Sequence, residues 1–260
     1  MTCWPYWEQK KALAIKTTIL LLLSVVFFFG VTASPASAQK KFSRSFDAGR
    51  NVRLTLMNRT GTVIVEGWNR NQVSIIAMLE SPAATIEPSM AADGTIYVNL
   101  VRDNQGRGEV GSVNFTIRVP FNALVDIETR IGNLSVTNVS SGLVRAHISS
   151  EGDITLTNIG ASNVSAENMI GDIFFDGEIQ DGGNYRFSSL KGNINIRIPF
   201  NSSFKLVATA PSTRDISLGS FTNASLNFLG DGRRVVGRFG EGSAALSVTN
   251  QRGSIAFIRR

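Results

Sequence analysis

The sequence predicts an all-β fold, a single-stranded parallel β-solenoid (β-helix-like) with ~20-residue coils and a less regular N-terminal β cap. Three observations carry this. A short phrase recurs across 129–198 as Arg130-Ile131-Gly132-Asn133-Leu134-Ser135-Val136, Glu151-Gly152-Asp153-Ile154-Thr155-Leu156, Ile170-Gly171-Asp172-Ile173-Phe174-Phe175 and Lys191-Gly192-Asn193-Ile194-Asn195-Ile196, its glycines 20, 19 and 21 residues apart. Half a unit later a second alternating run follows each phrase: Val144-Ala146-Ile148, Val164-Ala166, Tyr185-Phe187 and Phe204-Leu206. Finally, such a unit is too short for a strand-helix-strand crossover, which needs roughly thirty residues.

Each phrase turns on Gly followed by Asn or Asp, residue types that accept positive φ. Alternation then sends one side of the strand inward and the other into solvent. A unit of two strands and two turns can hide its apolar side only by stacking on neighbours. Six or seven coils at ~4.8 Å each are expected to build a rod on the order of 30 Å long. Leucine-rich repeats share the period, but their Leu-x-x-Leu-x-Leu-x-x-Asn pattern survives only in fragments such as Leu134, Val136 and Asn138.

Residues 1–38 read as a secretory signal. Lys10, Lys11 and Lys16 form a basic start, Ile19 to Phe29 an apolar core short of the ~20 residues that span a bilayer, and Ala36-Ser37-Ala38 a small-residue cleavage site before Gln39. Cleavage after Ala38 would place the protein in the periplasm, at the cell surface or outside the cell. It would also remove Cys3, the only cysteine, so disulfides and thiol chemistry are excluded from the exported part. Net charge falls from +6 to about +4.

Along the chain, 39–51 is a basic lead-in and 52–258 the solenoid. Alternating runs at 52–56, 62–66, 73–77, 95–100 and 113–119, bounded by Gly, Asn or Pro, are strands of the less regular half. The corner Ile117-Arg118-Val119-Pro120-Phe121-Asn122 returns as Ile196-Arg197-Ile198-Pro199-Phe200-Asn201, an offset of 79 residues or about four coils. Asp215-Ile216-Ser217-Leu218 stands where the next coil is expected, with Arg214 in place of Gly. Gly253-Ser254-Ile255 restores the phrase at the end of the chain, and Gly61-Thr62-Val63-Ile64-Val65 is its early version.

The strand-Gly-Trp of Val63-Ile64-Val65-Glu66-Gly67-Trp68, the Arg-Val-Pro corner at 118–120, the Gly-Asn/Asp-Ile phrases and the closing Thr249-Asn250-Gln251-Arg252-Gly253-Ser254-Ile255 resemble the bacterial putative-adhesin family. The resemblance covers about 52–258 and implies a β-solenoid domain of envelope and exported proteins, some of them associated with envelope stress responses. It brings no catalytic residues.

Candidate chemistry is sparse. Stacking would align Asn133, Asp153, Asp172 and Asn193 in one column, where a cation could bridge Asp153 and Asp172. An Asx ladder capping its own turns is the favoured reading, because the spacing of calcium-binding nonapeptides is missing. His147, the single histidine, points outward without a sequence partner, and no Gly-x-Ser-x-Gly elbow is present. Outward acids Glu128, Glu151, Glu167 and Asp176 are too scattered for the paired carboxyls of a glycan-cleaving β-helix. Arg233, Arg234 and Arg238 cluster beside a Gly-rich turn, and Arg259-Arg260 end the chain. Gly230-x-Gly232 lacks the Lys-Ser/Thr of a phosphate loop. Phe174 and Trp68 are read as exposed aromatics. Seven Asn-x-Ser/Thr triplets, at Asn58, Asn114, Asn133, Asn138, Asn163, Asn201 and Asn223, would matter only in a glycosylating host.

These features lead to an exported non-catalytic binding or adhesion-type solenoid, with no catalytic, cofactor or metal residue assigned and no binding residue singled out. Partners compatible with the surface are glycans, envelope polymers, anionic lipids or envelope proteins, not nucleic acid. The rival readings are an envelope scaffold or stress-sensing accessory protein and, third, a glycan-cleaving β-helix enzyme.

Overall fold

The computed structural model describes residues 39–49, 52–223 and 225–260; the leader and cleavage site read at 1–38 lie outside the described residues. Gln39–Arg260 forms a compact unit of its own, within which every described strand pairing closes. Among the described residues no helix is long and apolar enough to cross a membrane.

The chain opens with β1 (Lys40–Asp47), β2 (Arg53–Met57), β3 (Val63–Trp68), β4 (Gln72–Leu79), the short β5 (Ser89–Met90) and β6 (Thr95–Asn99), followed by one helical turn, α1 (Leu100–Asp103). The regular middle is β7 (Val113–Pro120), β8 (Leu124–Ile131), β9 (Leu134–Val139), β10 (Val144–Glu151), β11 (Ile154–Ile159), β12 (Asn163–Ile170), β13 (Ile173–Gly177), β14 (Asn184–Lys191) and β15 (Ile194–Ile198). Then come β16 (Phe204–Thr209), β17 (Ile216–Ser217), a 3-10 turn at Gly219–Phe221, β18 (Leu226–Leu229), β19 (Arg234–Phe239), β20 (Ala244–Arg252) and β21 (Ile255–Arg259).

Successive middle strands alternate between two sheets. Sheet I runs β1-β4-β7-β3-β9-β11-β13-β15-β21-β17, and sheet II runs β18-β19-β16-β20-β14-β12-β10-β8-β2-β6-β5. The repeats stack in parallel register: Ile154 lies between Leu134 and Ile173, and Ala146 between Ile127 and Ala166. The inward member of each alternating pair is fully buried, from Leu54 and Val63 to Val248 and Ile255, so one dry column of aliphatic and aromatic side chains runs through the unit. The parallel solenoid with coils of about 20 residues is thus present as the repeats predict.

The stack departs from chain order at both ends. Among the described residues there are eight rungs, against six or seven expected: β6/β7, β2/β3, β8/β9, β10/β11, β12/β13, β14/β15, β20/β21 and β16/β17. The rung stacked on Gly192 is therefore the C-terminal one, with Gly192 N–H donating to Arg252 O (3.0 Å) and Ile194 N–H to Ser254 O (2.9 Å). Asp215-Ile216-Ser217 is displaced outward, pairing with β21 instead of β15. At the other end β3 sits between β7 and β9, so the two Pro corners, four coils apart in sequence, lie five rungs apart in space.

Antiparallel strands close the ends. β4 pairs with β7 and β1 with β4 in sheet I, while β19 pairs with β16, β18 with β19 and β5 with β6 in sheet II. The basic segment read as a lead-in contains the outermost strand of sheet I, its Phe42 and Phe46 packed against the core and its Lys40, Lys41 and Arg44 exposed. Charges on an edge strand discourage pairing with another chain.

Candidate binding surfaces

Three surfaces carry the polar chemistry: the Gly-Asx corner, the outer faces of the two sheets, and the C-terminal hairpin. At the corner the glycines occupy positive φ, +148° at Gly152 and +130° at Gly171. A Cβ on Gly171 would fall inside contact distance of the Gly152 carbonyl oxygen, and one on Gly152 would meet that of Gly132 in the same way. Only glycine lets adjacent rungs approach here.

The Asx column expected from the repeats is built. Asn133 Oδ1 accepts from Asp153 N–H (3.0 Å), Asp153 Oδ1 from Asp172 N–H (2.8 Å), Asp172 Oδ1 from Asn193 N–H (2.7 Å) and Asn193 Oδ1 from Ser254 N–H (3.1 Å). Asn114 does the same for Thr62 N–H at 2.8 Å. Each carboxyl or carboxamide thus caps the turn of the next rung. The groove beside this ladder, about 330 Å³, is shallow and lined by Ile131, Glu151, Ile170 and the glycines themselves.

A second column, inside the corner, was missed by sequence reasoning. Buried Asn168 donates through Nδ2 to Gly171 O (2.8 Å) and Gly152 O (3.2 Å), and buried Asn250 to Gly192 O (2.8 Å) and Ser254 O (2.9 Å). Asn58 reaches Val113 O at 3.2 Å. Their signal was visible: Asn58, Thr129, Ser149, Asn168, Ser189 and Asn250 each stand three residues before a glycine of the phrase. Buried carbonyls turned away from the ladder need such donors.

On the outer face of sheet II, stacking brings some charges of opposite sign together. Arg145 sits opposite Asp126 (3.2 Å), and Arg186 meets Glu167 at 3.4 Å. His147, without a partner nearby in sequence, has Glu167 Oε2 3.9 Å from Nδ1 and Glu128 in register on its other side. The partners are supplied by stacking, about one coil away in sequence.

Two expectations for sheet I are corrected. Asp176 is not an outward acid: its side chain is 4 % exposed, held by Arg197 (2.6 Å) and Arg260 (3.6 Å) at the strand end where alternation breaks down before Gly177. The hydrogen bond to Asp176 raises the Arg197 guanidinium above its already high ordinary value. Phe174 is half-buried, with Arg197 over its ring at 5.7 Å, and Trp68 is also half-buried, donating to Gln72 O (2.7 Å) with Arg70 over the ring. Arg259 lies over Phe200 at 5.2 Å, so both terminal arginines serve the fold. Among the described residues no group of three His, Cys, Asp or Glu side chains could hold a metal ion.

The Toastrack DUF4097 family model matches residues 30–256. The chain belongs to this family. Stacked rungs in two facing sheets, with the Gly-Asx corners and Pro corners on which the sequence resemblance rested, are the Toastrack architecture in this chain. Similar solved structures include a putative cell adhesion protein from Clostridium sporogenes ATCC 15579, 12 % identical with a TM-score of 0.46 over 85 % of this chain and 100 % of that one. A putative adhesin from Bacteroides fragilis NCTC 9343 is 11 % identical, with a TM-score of 0.38 over 85 % and 99 % of the two chains. A putative lipid binding protein from Parabacteroides distasonis ATCC 8503 is 9 % identical, with a TM-score of 0.32 over 84 % and 97 %. No curated protein matches the chain.

Proposed function

We propose that this Toastrack chain is an exported, non-catalytic binding protein of the adhesion type, acting at the cell envelope or surface through its outer sheet faces. One observation carries the reading: six acids of its faces and corner hold rungs together. Glu66 pairs with Arg118, Asp126 with Arg145, Glu167 with Arg186 and Asp176 with Arg197, while Asp153 and Asp172 accept from backbone amides. What remains for a partner is a regular array of side chains in columns ~4.8 Å apart, the kind of extended surface that solenoids use for binding.

The test is a screen of residues 39–260 against glycans, envelope polymers and anionic-lipid vesicles, with glycan turnover followed in parallel. Saturable retention without new sugar ends is expected. Turnover abolished by Glu128→Gln or Glu167→Gln would replace this reading with a glycan-cleaving one. Mass spectrometry of the exported protein is expected to give Gln39 as the first residue.

A further inference from the structure

We infer that the C-terminal hairpin, β18 with β19, is a docking edge for an anionic lipid surface, an inference that rests on the binding reading above and names its partner. Mid-face on sheet II, Arg145 is set against Asp126 and Arg186 against Glu167, each an acid one rung away. At the C-terminal end this stops. The antiparallel register places Lys205 of β16 directly opposite Arg238 of β19, and Arg234 follows on the same outward side. Like charges directly opposite destabilise an antiparallel pair. Among the described residues none of these three cations makes an ion pair. Asp231 lies in the connecting turn and Glu241 in the turn after β19.

Apolar groups are exposed in the same place. Phe228 is 52 % and Leu229 47 % exposed on β18, and Val207 stands between the cations on β16. Phe228 and Leu229 are consecutive, so they project from opposite sides of the outermost strand of sheet II. Arg234 and Arg238 lie one strand behind this edge and Lys205 two strands behind, about 5 and 10 Å back. An edge that leads with apolar side chains and follows with cations matches the depth profile of a bilayer interface, where apolar groups enter roughly 5–10 Å and basic groups meet the headgroups. A soluble polyanion would use the cations and leave Phe228 and Leu229 in water. A second copy pairing edge to edge would bring two sets of the same cations together.

Residues 39–260 are mixed with phosphatidylglycerol–phosphatidylcholine vesicles and with phosphatidylcholine vesicles, and binding is read by sedimentation. Binding to the anionic vesicles alone is expected, weakening as salt rises. Lys205→Gln, Arg234→Gln and Arg238→Gln should each lower partitioning about five-fold. Leu229→Ser should lower it about ten-fold. Arg145→Gln and Arg186→Gln, which remove mid-face charges of the same sign, should have less than a two-fold effect, and the indole emission of a Phe228→Trp variant should shift to the blue on binding. Equal response to the mid-face and hairpin variants, in proteins with unchanged circular dichroism, overturns the proposal. So does retention on glycans or envelope polymers with no vesicle binding, a result that leaves the binding reading standing. Dimerisation abolished by Leu229→Ser without vesicle binding assigns the edge to a second copy and overturns it as well.

Discussion

At the scale of single residues, the corner glycines and the buried tyrosine make opposite kinds of demand. Gly171 combines positive φ with a backbone oxygen where Cβ would stand, whereas Gly182, at φ +71°, has open space around it. Gly182→Ala should therefore cost about 1 kcal/mol of conformational strain. Gly171→Ala adds displacement of a neighbouring rung, and a loss of more than about 3 kcal/mol in urea-unfolding stability is expected. Equal costs would mean that the rungs are less tightly apposed than described. Tyr185 is buried, its hydroxyl donating to Ala161 O (3.0 Å) or Glu178 O (3.2 Å) and accepting from Gln180 N–H (2.8 Å). Burial pushes its phenol above the ordinary value of 10.0. The folded state thus holds this proton more tightly than the unfolded state, so the contribution is complete below about pH 10 and is lost as pH rises through the folded value. The stability gap between the native protein and Tyr185→Phe should shrink above pH 10, and a gap that stays constant to pH 12 would contradict the assignment.

At the scale of elements, the C-terminal cap depends on aromatic packing. Phe221, on the 3-10 turn, is fully buried and lies 5.2 Å from Phe239, 6.2 Å from Phe204 and 6.3 Å from Phe257, ring centre to ring centre. These rings come from β16, β19 and β21, so one side chain seals the end of the apolar column against three strands. Phe221→Ala should destabilise by about 3–5 kcal/mol, while Phe121→Ala, at an exposed corner, should stay below about 1 kcal/mol; comparable values in thermal unfolding would argue against a sealed end. The individual elements were largely legible in the sequence, because period-two alternation and Gly-Asx turns are local signals that stacking reinforces. Their order was not. Placing β20/β21 on Gly192 instead of Asp215-Ile216 requires a pairing about sixty residues distant, which no local propensity records. In physical terms Gly253 decides it, since only glycine fits beneath the Gly192 carbonyl and Arg214 does not. The charge pairs were illegible for a related reason. Glu167 faces His147 and Arg197 faces Asp176 only because successive coils stack in register, and the exposure of Asp176 was misread where strand alternation ends.

At the scale of the whole molecule, the chain's own terminal coils are interior. β2/β3 is the second rung and β20/β21 the seventh, each flanked by a rung from elsewhere in the sequence. In a linear solenoid stability is a sum of nearest-neighbour terms, and terminal repeats open first. Among the described residues β16/β17 pairs with the body of the stack only through β20/β21, since β16 pairs with β20 and β17 with β21. Opening the C-terminal coil therefore detaches two rungs and the β18–β19 hairpin together. Amide exchange should consequently be as slow at Leu246–Val248 and Leu54–Leu56 as at Ala146–Ile148, whereas β5, β17 and β18 should exchange orders of magnitude faster, through local opening. A chain ending at Gly242 should lose native structure over far more than the deleted 18 residues, because Gly192, Ile194 and Asn250 exchange hydrogen bonds across that joint and Val248 and Ile255 belong to the common core. Retention of slow exchange in β16 of the shortened chain would show instead that β16 can reseat on β14. The energetic preference for the observed order would then be small, and the interlock would not be what ties the two ends of the stack to its middle.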